Sequence, residues 1–272
     1  MLDAFFNIKY PKDNRWFDGL KVSDCEECMD HKNAYPVIHL DFKDLDSNDL
    51  EMFVERLSDK VKSLYVHYRY LRESDDVDEM YKNDFDHIIS GTPSMSKLMN
   101  SLRILSDMLY AHHGKKTIIL LDEYDNPMHN EYGKNFHKDV VGIMRGILSS
   151  ALKGNDSLML GVITGVMQVS KESIFSGLNN LEVNNILSKD FDEMFGFTDD
   201  EVKAICMEYG HPEKYPEAKE WYDGYRFGDT DVYNPWSIIK YVKSGFEPQT
   251  YWAGTSGNSI ISDLLESASP EI

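Results

Sequence analysis

The sequence has few cysteines. Cys25, Cys28 and Cys206 are its only ones, which is too few for a disulfide framework, and an odd number would leave one thiol unpaired in a secreted protein. We therefore expect reduced thiols. Cys25 and Cys28, with His31 nearby, form one half of a zinc motif, but no second cysteine pair follows. An ordinary loop is favoured over a metal site here.

The sequence also lacks a membrane span and a basic surplus. No apolar stretch approaches the roughly 18 residues that a transmembrane helix needs, and the segment from Met1 to Tyr10 lacks the basic and apolar regions of a signal peptide. Acidic side chains outnumber basic ones by 47 to 28, and the formal net charge of -19 opposes nonspecific binding to nucleic acid or to an anionic membrane. These features predict a globular cytoplasmic protein that binds no membrane.

A third absence concerns phosphate binding. None of the 17 glycines belongs to a loop ending in Gly-Lys-Ser or Gly-Lys-Thr, whose amides and lysine hold nucleotide phosphates. The acidic element that accompanies such a loop is nevertheless there, because the apolar run from Thr117 to Leu121 ends directly in Asp122 and Glu123. In phosphoryl-transfer ATPases the Asp holds Mg²⁺ and the following Glu activates water. The alternative is that both acids simply open a surface loop.

Strands and helices alternate in the first two thirds of the chain. Apolar residues three and four apart predict a long helix between Leu50 and Tyr68, a second one that stops at Gly114, and a third that ends at Gly154. The acidic stretch from Glu73 to Glu79 is interpreted as a solvated turn. The buried strands are predicted at residues 35–42, 117–121 and 158–164. Because these strands are apolar on both faces, we predict an α/β fold whose parallel sheet is covered by helices on both sides.

The pattern changes near Gly196. Thr198 and Glu201 have the spacing of a capping box, and short helices, aromatic residues and turn residues follow from Trp221 onward. We therefore predict two domains. Residues 1–195 form the α/β core, and residues 196–272 form a small helical or winged-helix-like domain.

Other residues are weaker candidates for a site. Thr164 ends the strand after the acidic one, where it can orient water or sense a phosphate, although strand-end threonines are also common helix caps. Arg145 lies at the edge of an apolar helix face and either reaches a phosphate or, as we favour, covers the core. Lys171 and Ser173 have no diagnostic spacing. The aromatic segment 221–228 is interpreted as core in preference to a base-stacking surface.

Taken together, these motifs resemble those of the bacterial AAA-ATPase-like proteins, which are predicted P-loop ATPases often fused to a nuclease-like domain of the PD-(D/E)XK kind. The segments that carry the resemblance are Tyr35–Ile38, Asp41–Lys43, Leu120–Asp125, Leu152–Asn155, Thr164–Gly165, Ser170–Asn180, Trp221–Phe227, Tyr233–Trp236, Tyr251–Trp252 and Thr255–Asn258. They cover nearly the whole chain.

The resemblance implies a P-loop NTPase-like sheet followed by a winged-helix-like lid, with ATP and Mg²⁺ as cofactors of the full-length protein. Asp122 and Glu123 correspond to the Walker B acids, with Asp122 as the metal ligand, and Thr164 to a sensor-like position. In the family, an Arg-Phe-Gly-Lys-Ser/Thr loop precedes the helix that Met1 to Phe6 would continue. We therefore expect a chain that starts just past this loop. It would lack the Walker A strand and have a gap in its sheet. The family also commonly has an arginine after the Thr-Gly pair, at the position where this chain has Gln168.

The resulting hypothesis is an ATPase-like core and lid whose turnover of ATP is impaired in this chain. The runner-up is a nucleotide-independent module that binds a protein or nucleic acid through its aromatic C-terminal region. A second candidate partner is another copy of the chain, in a homo-oligomer. A metal-dependent nuclease site at Asp122, Glu123 and Asp125 is the weakest reading, because no Glu-x-Lys follows on an adjacent strand.

Overall fold

The chain forms two units, Met1–Asn179 and Asn180–Ile272. The computed structural model describes residues 1–91, 93–166 and 181–252, and each unit is described by itself. The domain boundary that we predicted between residues 195 and 196 stays a prediction.

The first unit alternates strands with helices, as the apolar periodicity predicts. Its strands are β1 (Val37–Asp41), β2 (Thr117–Asp122) and β3 (Leu158–Ile163). Its helices are α1 (Leu2–Phe6), α2 (Glu26–Asp30), α3 (Leu50–Val66), α4 (Glu79–Ser90), α5 (Met95–His113), α6 (Asn126–Asn130) and α7 (His137–Leu152), with short 3-10 helices at Lys21–Asp24 and Arg69–Glu73. Helix α5 ends where predicted, because Gly114 adopts a left-handed cap with φ of 61°.

The three strands form one parallel sheet in the order β1-β2-β3. Asp41 is level with Asp122, and Leu121 is level with Ile163. Since β2 pairs directly with a strand on each side, the gap expected within the sheet does not occur between these described strands. The prediction of a parallel sheet with flanking helices is confirmed.

Different elements pack on the two faces of the sheet. Helices α3 and α5 pack on strands β1 and β2, and Ile38, Ile119 and Leu121 are buried. Residues of the opposite face alternate with these. There Val37, Ile118 and Leu120 form a separate cluster, against which Phe6, Tyr35 and Val162 pack.

The outer edge of β1 is occupied at several of its carbonyl oxygens. The N–H of Ile8 donates to Tyr35 over 2.8 Å, the hydroxyl of Tyr68 donates to Val37 over 2.6 Å, and the ammonium of Lys60 donates to Asp41 over 3.0 Å. These groups use acceptors that an added strand would otherwise need, which is a common way to protect an edge strand.

One expectation about the first unit is wrong, and one helix was not predicted. Residues 74–78 form the turn expected from the acidic stretch Glu73 to Glu79, and helix α4, whose Phe85 and Ile88 are buried, begins at Glu79. Cys25 and Cys28 are joined by a disulfide with a Cα–Cα distance of 5.2 Å, although we expected free thiols. Residues three apart at the start of α2 share one helix face, which brings the sulfurs within bonding reach. Cys206 is free and buried.

The second unit combines helices with an antiparallel sheet. Strands β4 (Phe197–Thr198), β5 (Asp223–Phe227) and β6 (Thr230–Tyr233) are arranged in the order β4-β6-β5. Helices α8 (Asp199–Glu208), α9 (Tyr215–Tyr222) and α10 (Pro235–Lys243) accompany them, with a 3-10 helix at Pro212–Lys214. The capping box at Thr198 and Glu201 forms as predicted. The core includes Val202, Tyr222, Tyr233 and Tyr241.

Candidate functional site

The carboxyl ends of the three parallel strands bring polar side chains to one edge of the sheet. Asp41 ends β1 level with Asp122 of β2, and Thr164 directly follows β3. The hydroxyl of Thr164 donates to Oδ1 of Asp122. The backbone fixes this row, because the N–H of Thr164 donates to the carbonyl of Leu121 over 2.9 Å and the N–H of Tyr124 donates to the carbonyl of Thr164 over 3.1 Å. Asp122 and Thr164, which we predicted as site residues, are therefore in direct contact.

Glu123 occupies an unusual backbone conformation beside this row. Its φ is 50°, in the left-handed region that residues other than glycine seldom adopt. Its N–H donates to Oδ1 of Asp122 over 3.1 Å, and its Oε2 accepts from the amide of Asn126 over 3.4 Å. Such strained positions are concentrated at functional sites. The conformation turns the chain sharply after β2, so that consecutive acids share the sheet edge.

The surroundings of Glu123 make its carboxyl group a better base. Burial raises its pKa, and the neighbouring carboxylates Asp41, Asp122 and Asp125 raise it further, while Lys43 lowers it. A higher pKa strengthens proton acceptance, which is the property that a general base needs. The role of Glu123 as a base, predicted from its place after Asp122, stays a prediction.

Tyr124 and Asp125 directly follow the acidic pair in the chain and lie against Gly165. Asp125 is buried, and its Oδ2 lies 3.7 Å from Nδ1 of His129. Gly165, next to Thr164, packs closely on both. A Cβ atom at Gly165 would lie 2.6 Å from Oδ1 of Asp125 and 2.7 Å from Cε1 of Tyr124. The absence of a side chain at Gly165 thus allows the strand ends to approach each other.

Substituting Gly165 tests this close approach. We expect Gly165→Ala to destabilise the first unit by about 1–3 kcal/mol, the usual cost of overpacking, as measured by urea unfolding. Gly142→Ala in α7 is the matched control, since nothing lies within 4 Å of its added Cβ. A helical Gly→Ala change is expected to stabilise by up to about 1 kcal/mol. Equal effects of the two substitutions would contradict the tight packing.

Asp122 fits the role of a Mg²⁺ ligand. Its described hydrogen bonds use Oδ1, which leaves Oδ2 for a ligand. Among the described residues no group of three or more His, Cys, Asp or Glu side chains is arranged to hold a metal. Protein Mg²⁺ sites commonly use one or two carboxylates, with water and substrate phosphate completing the octahedron. Asp122 with the hydroxyl of Thr164 therefore fits a nucleotide-bound Mg²⁺ better than a metal held by protein alone.

Arg145 is an exposed residue in the middle of helix α7. Its contact with nucleotide stays a prediction. Gln168, Lys171 and Ser173, as well as the segments 170–180 and 255–258 quoted above, lie outside the described residues.

Asp41 and Lys43 were not predicted as site residues. They approach Glu123 closely enough to influence its pKa, and Oδ1 of Asp41 accepts from the N–H of Lys43 over 2.7 Å. One signal was present in the sequence, because Asp41 ends a predicted strand just as Asp122 does, and parallel strands place their carboxyl ends together.

A cleft of about 570 Å³ opens beside this edge of the sheet. Asp41 belongs to its wall, where Arg56 and Lys60 from α3 are accompanied by the acids Asp44 and Asp59. Asp122, Glu123 and Thr164 do not line it.

Comparison with known proteins identifies relatives of the chain. Residues 1–175 match the family described as Predicted AAA-ATPase. A curated protein from Azotobacter chroococcum mcd 1, named "Uncharacterized protein in vnfD 5'region", is 29% identical over 158 residues. The match covers 57% of this chain but only 30% of that protein's length. No solved structure gives a significant match. Of the helices in the described residues, none has the length and apolar character needed to cross a membrane.

The family match includes the three strands and every described residue of the strand-end row. It confirms the family predicted from the sequence motifs. By its sequence over residues 1–175, the chain belongs to the AAA-ATPase-like family of predicted ATPases.

Proposed function

We propose that the carboxyl edge of the first unit's sheet is the acidic, Walker B half of an ATP-hydrolysing site. The observation that supports this most is the contact between Thr164 and Asp122, with Glu123 held next to them. A metal-binding carboxylate, a base and a hydroxyl from neighbouring strand ends are the groups that phosphoryl transfer to water requires.

In the proposed mechanism each residue has one task. Asp122 would hold Mg²⁺, which would neutralise charge on the phosphates. Glu123 accepts a proton from the attacking water, for which its raised pKa is suited. Thr164 fixes the orientation of the Asp122 carboxylate by donating its hydroxyl proton to Oδ1.

The phosphate-holding half of the site has no counterpart in the 272 residues, which contain no Gly-Lys-Ser or Gly-Lys-Thr sequence. Positioning accounts for much of the catalysis of phosphoryl transfer. We therefore propose that ATP binding and hydrolysis belong to the full-length protein and are impaired in this chain. The second unit is proposed to act as a winged-helix-like lid.

A thermal-shift experiment tests the proposal. We expect Mg-ATP to leave the melting temperature of this chain unchanged. It should raise that of a version extended before Met1 by upstream codons for a Gly-Lys-Ser/Thr loop. Ligand at 100 times its Kd stabilises a folded protein by about 2.7 kcal/mol. An extended version that ignores Mg-ATP would contradict the proposed ATP site.

Two variants of the extended version separate binding from chemistry. Asp122→Asn should reduce the Mg²⁺-dependent part of the shift, since it removes the metal-binding charge. Glu123→Gln should keep the shift and lose hydrolysis. Loss of both in Glu123→Gln would assign Glu123 to binding instead of proton transfer.

The runner-up function is a binding surface for a protein or nucleic acid on the second unit. It is favoured by Trp221, Trp236 and Trp252, each about half exposed. Arg226, however, is paired with Asp231 over 3.0 Å, which reduces its availability for phosphate. Binding to DNA at low salt that disappears in Tyr225→Ala and Arg226→Ala would favour this function.

A further inference from the structure

The disulfide between Cys25 and Cys28 is a reactive group that the proposed ATP site does not use. It joins residues only three apart in the sequence, and the stabilisation from a disulfide increases with the length of the loop that it closes. The bridge also ties no distant segments together, because both cysteines belong to the start of α2. Its chemistry is therefore a better guide to its role than its contribution to stability.

Accessibility separates this pair from the third cysteine. Cys25 and Cys28 are both partly exposed, so a small thiol can reach them. Cys206 is free and buried, and burial together with the charge of Glu213 raises the pKa of its thiol. Because the thiolate is the reactive form of cysteine, Cys206 is inert while the second unit is folded. Exchange chemistry is thus confined to Cys25 and Cys28.

One hydrogen bond makes the two sulfurs of the bridge unequal. The N–H of Cys28 donates to Sγ of Cys25 over 3.2 Å. A donor to sulfur stabilises the negative charge of a thiolate, and a better-stabilised thiolate leaves faster in disulfide exchange. Cys25 is therefore the better leaving group, and the incoming thiolate attacks Sγ of Cys28.

The charges around the bridge select among thiols. Of the bases nearby in the chain, Lys32 is buried and donates to the carbonyl of Asn14, which leaves Lys21 and His31. The nearby acids are all exposed and are Asp24, Glu26, Glu27 and Asp30. Acidic surroundings attract a cationic reactant and repel an anionic one. A thiol that carries an amine is therefore favoured over one that carries a carboxylate.

We propose that Cys25 and Cys28 form a thiol–disulfide exchange site whose reactant is a small cationic thiol. The reactant's thiolate attacks Sγ of Cys28, the bond between the two cysteines breaks, and Cys25 leaves as a thiolate that takes a proton from water. A second reactant thiolate attacks the first one's sulfur in the mixed disulfide and releases Cys28, which is protonated in turn. Two reactant thiols are thereby oxidised to one disulfide, and the bridge gains two electrons and two protons. The reverse reaction restores the bridge.

Maleimide labelling of the 272-residue chain tests the exchange. After oxidation with cystamine, the disulfide of cysteamine, we expect the folded chain to have no labelled thiol and no cysteamine adduct. After reduction with cysteamine and its removal, Cys25 and Cys28 should be labelled and Cys206 should not. An oxidised chain with two adducts in place of the bridge would overturn the proposal, as would a bridge that cysteamine does not open.

An acid quench early in the reduction tests the order of attack. Peptide mass spectrometry should find the trapped cysteamine on Cys28, because Cys25 leaves first. Cysteamine trapped on Cys25 would overturn this order.

Matched thiols test the selection by charge. At low salt the rate constant per thiolate should be about tenfold higher for cysteamine than for 3-mercaptopropionate. Salt at about 1 M should remove most of this ratio, since it shortens the screening length to about 3 Å. A ratio of one at low salt would overturn the proposed preference for a cationic thiol.

Charge-neutral variants test whether the acids beside the bridge cause the preference. Glu26→Gln combined with Glu27→Gln should lower the ratio at least about twofold. The matched control combines Glu51→Gln with Glu55→Gln, at exposed positions of α3, which removes the same charge and should leave the ratio nearly unchanged. An equal fall in both double variants would assign the preference to the net charge of -19 and overturn the local selection.

Discussion

Replacing Glu131 with alanine is expected to destabilise the first unit by about 2–4 kcal/mol, because Ser47 loses a charged acceptor of two hydrogen bonds, whereas the Lys134 side chain is 37% exposed and can turn to water. Glu131 is fully buried. Its Oε1 accepts from both the N–H and the hydroxyl of Ser47 over 2.8 Å. Its Oε2 lies 2.6 Å from Nζ of Lys134, a close ionic contact without the alignment of a hydrogen bond.

Several polar groups lose their partner in Glu131→Ala. Lys134 also donates to the carbonyl of Ser47 over 2.6 Å, so Glu131, Ser47 and Lys134 form a closed triangle. It joins the segment after β1 to the segment after α6. Because hydrogen bonds to charged groups are worth about 1.5–3 kcal/mol each, loss of the carboxylate should be felt at both segments. Chemical denaturation followed by hydrogen exchange of the β2 amides measures the loss in this unit.

Two further variants calibrate the Glu131 result. Glu131→Gln keeps an oxygen for Ser47 but removes the charge that Lys134 needs, and we expect an intermediate loss. Arg15→Ala breaks an ion pair with Asp18 of 2.7 Å that is exposed to solvent, and should cost less than about 1 kcal/mol. A Glu131→Ala protein as stable as Arg15→Ala would show that the triangle contributes nothing.

The second large effect is expected for Asp199→Ala in the second unit. Oδ1 of Asp199 accepts from the hydroxyls of Tyr215 and Tyr233 over 2.6 and 2.7 Å, and Oδ2 lies 2.7 Å from Nζ of Lys203. Tyr233 is buried, so its hydroxyl would lose an acceptor that water cannot readily replace. Because Asp199 itself is partly exposed, we expect a loss of about 2–3 kcal/mol.

The same network predicts a dependence on pH. Burial alone would raise the pKa of Asp199, but the hydrogen bonds from Lys203, Tyr215 and Tyr233 hold it well below its usual value of 3.8. A lowered pKa in the folded state stabilises that state above the unfolded pKa, and the contribution is lost as the pH falls through the folded pKa. The stability difference between the unaltered chain and Asp199→Ala should therefore shrink below pH 3.8.

Tryptophan fluorescence can follow the second unit during urea unfolding, because Trp221, Trp236 and Trp252 belong to it and only Trp16 lies in the first. Asp200→Ala is the matched control. Asp200 is next to Asp199, but its side chain is 94% exposed and contacts Lys203 over 3.2 Å. We expect a change within about 0.5 kcal/mol. Similar losses from both substitutions would show that helix-end charge, and not the tyrosine contacts, dominates.

Local signals in the sequence predicted much of the fold. The cap at Gly114 and the capping box at Thr198 depend on residues within one or two helical turns, so a sequence pattern contains nearly all the information. Helix α4 was missed although its sequence carries a signal. Tyr81, Phe85 and Ile88 are four and three residues apart, which is helical spacing, and Phe85 and Ile88 are buried.

Residues that end predicted strands were found as site candidates at Asp122 and Thr164, whereas Asp41 was missed. Asp122 and Glu123 are adjacent in the chain, and their place after an apolar strand predicted their edge of the sheet. The nearness of Asp41 depends on the register of β1 against β2, which the sequence of either strand alone does not specify. The strained conformation of Glu123 likewise depends on the contacts of the surrounding turn.

The occupied carbonyl oxygens along β1 limit what can join the sheet at that edge. Tyr35, Val37 and Asp41 already have donors there. A strand from another molecule would have to displace the Ile8 amide, the Tyr68 hydroxyl and the Lys60 ammonium before it could pair, so this edge resists the strand addition that begins aggregation.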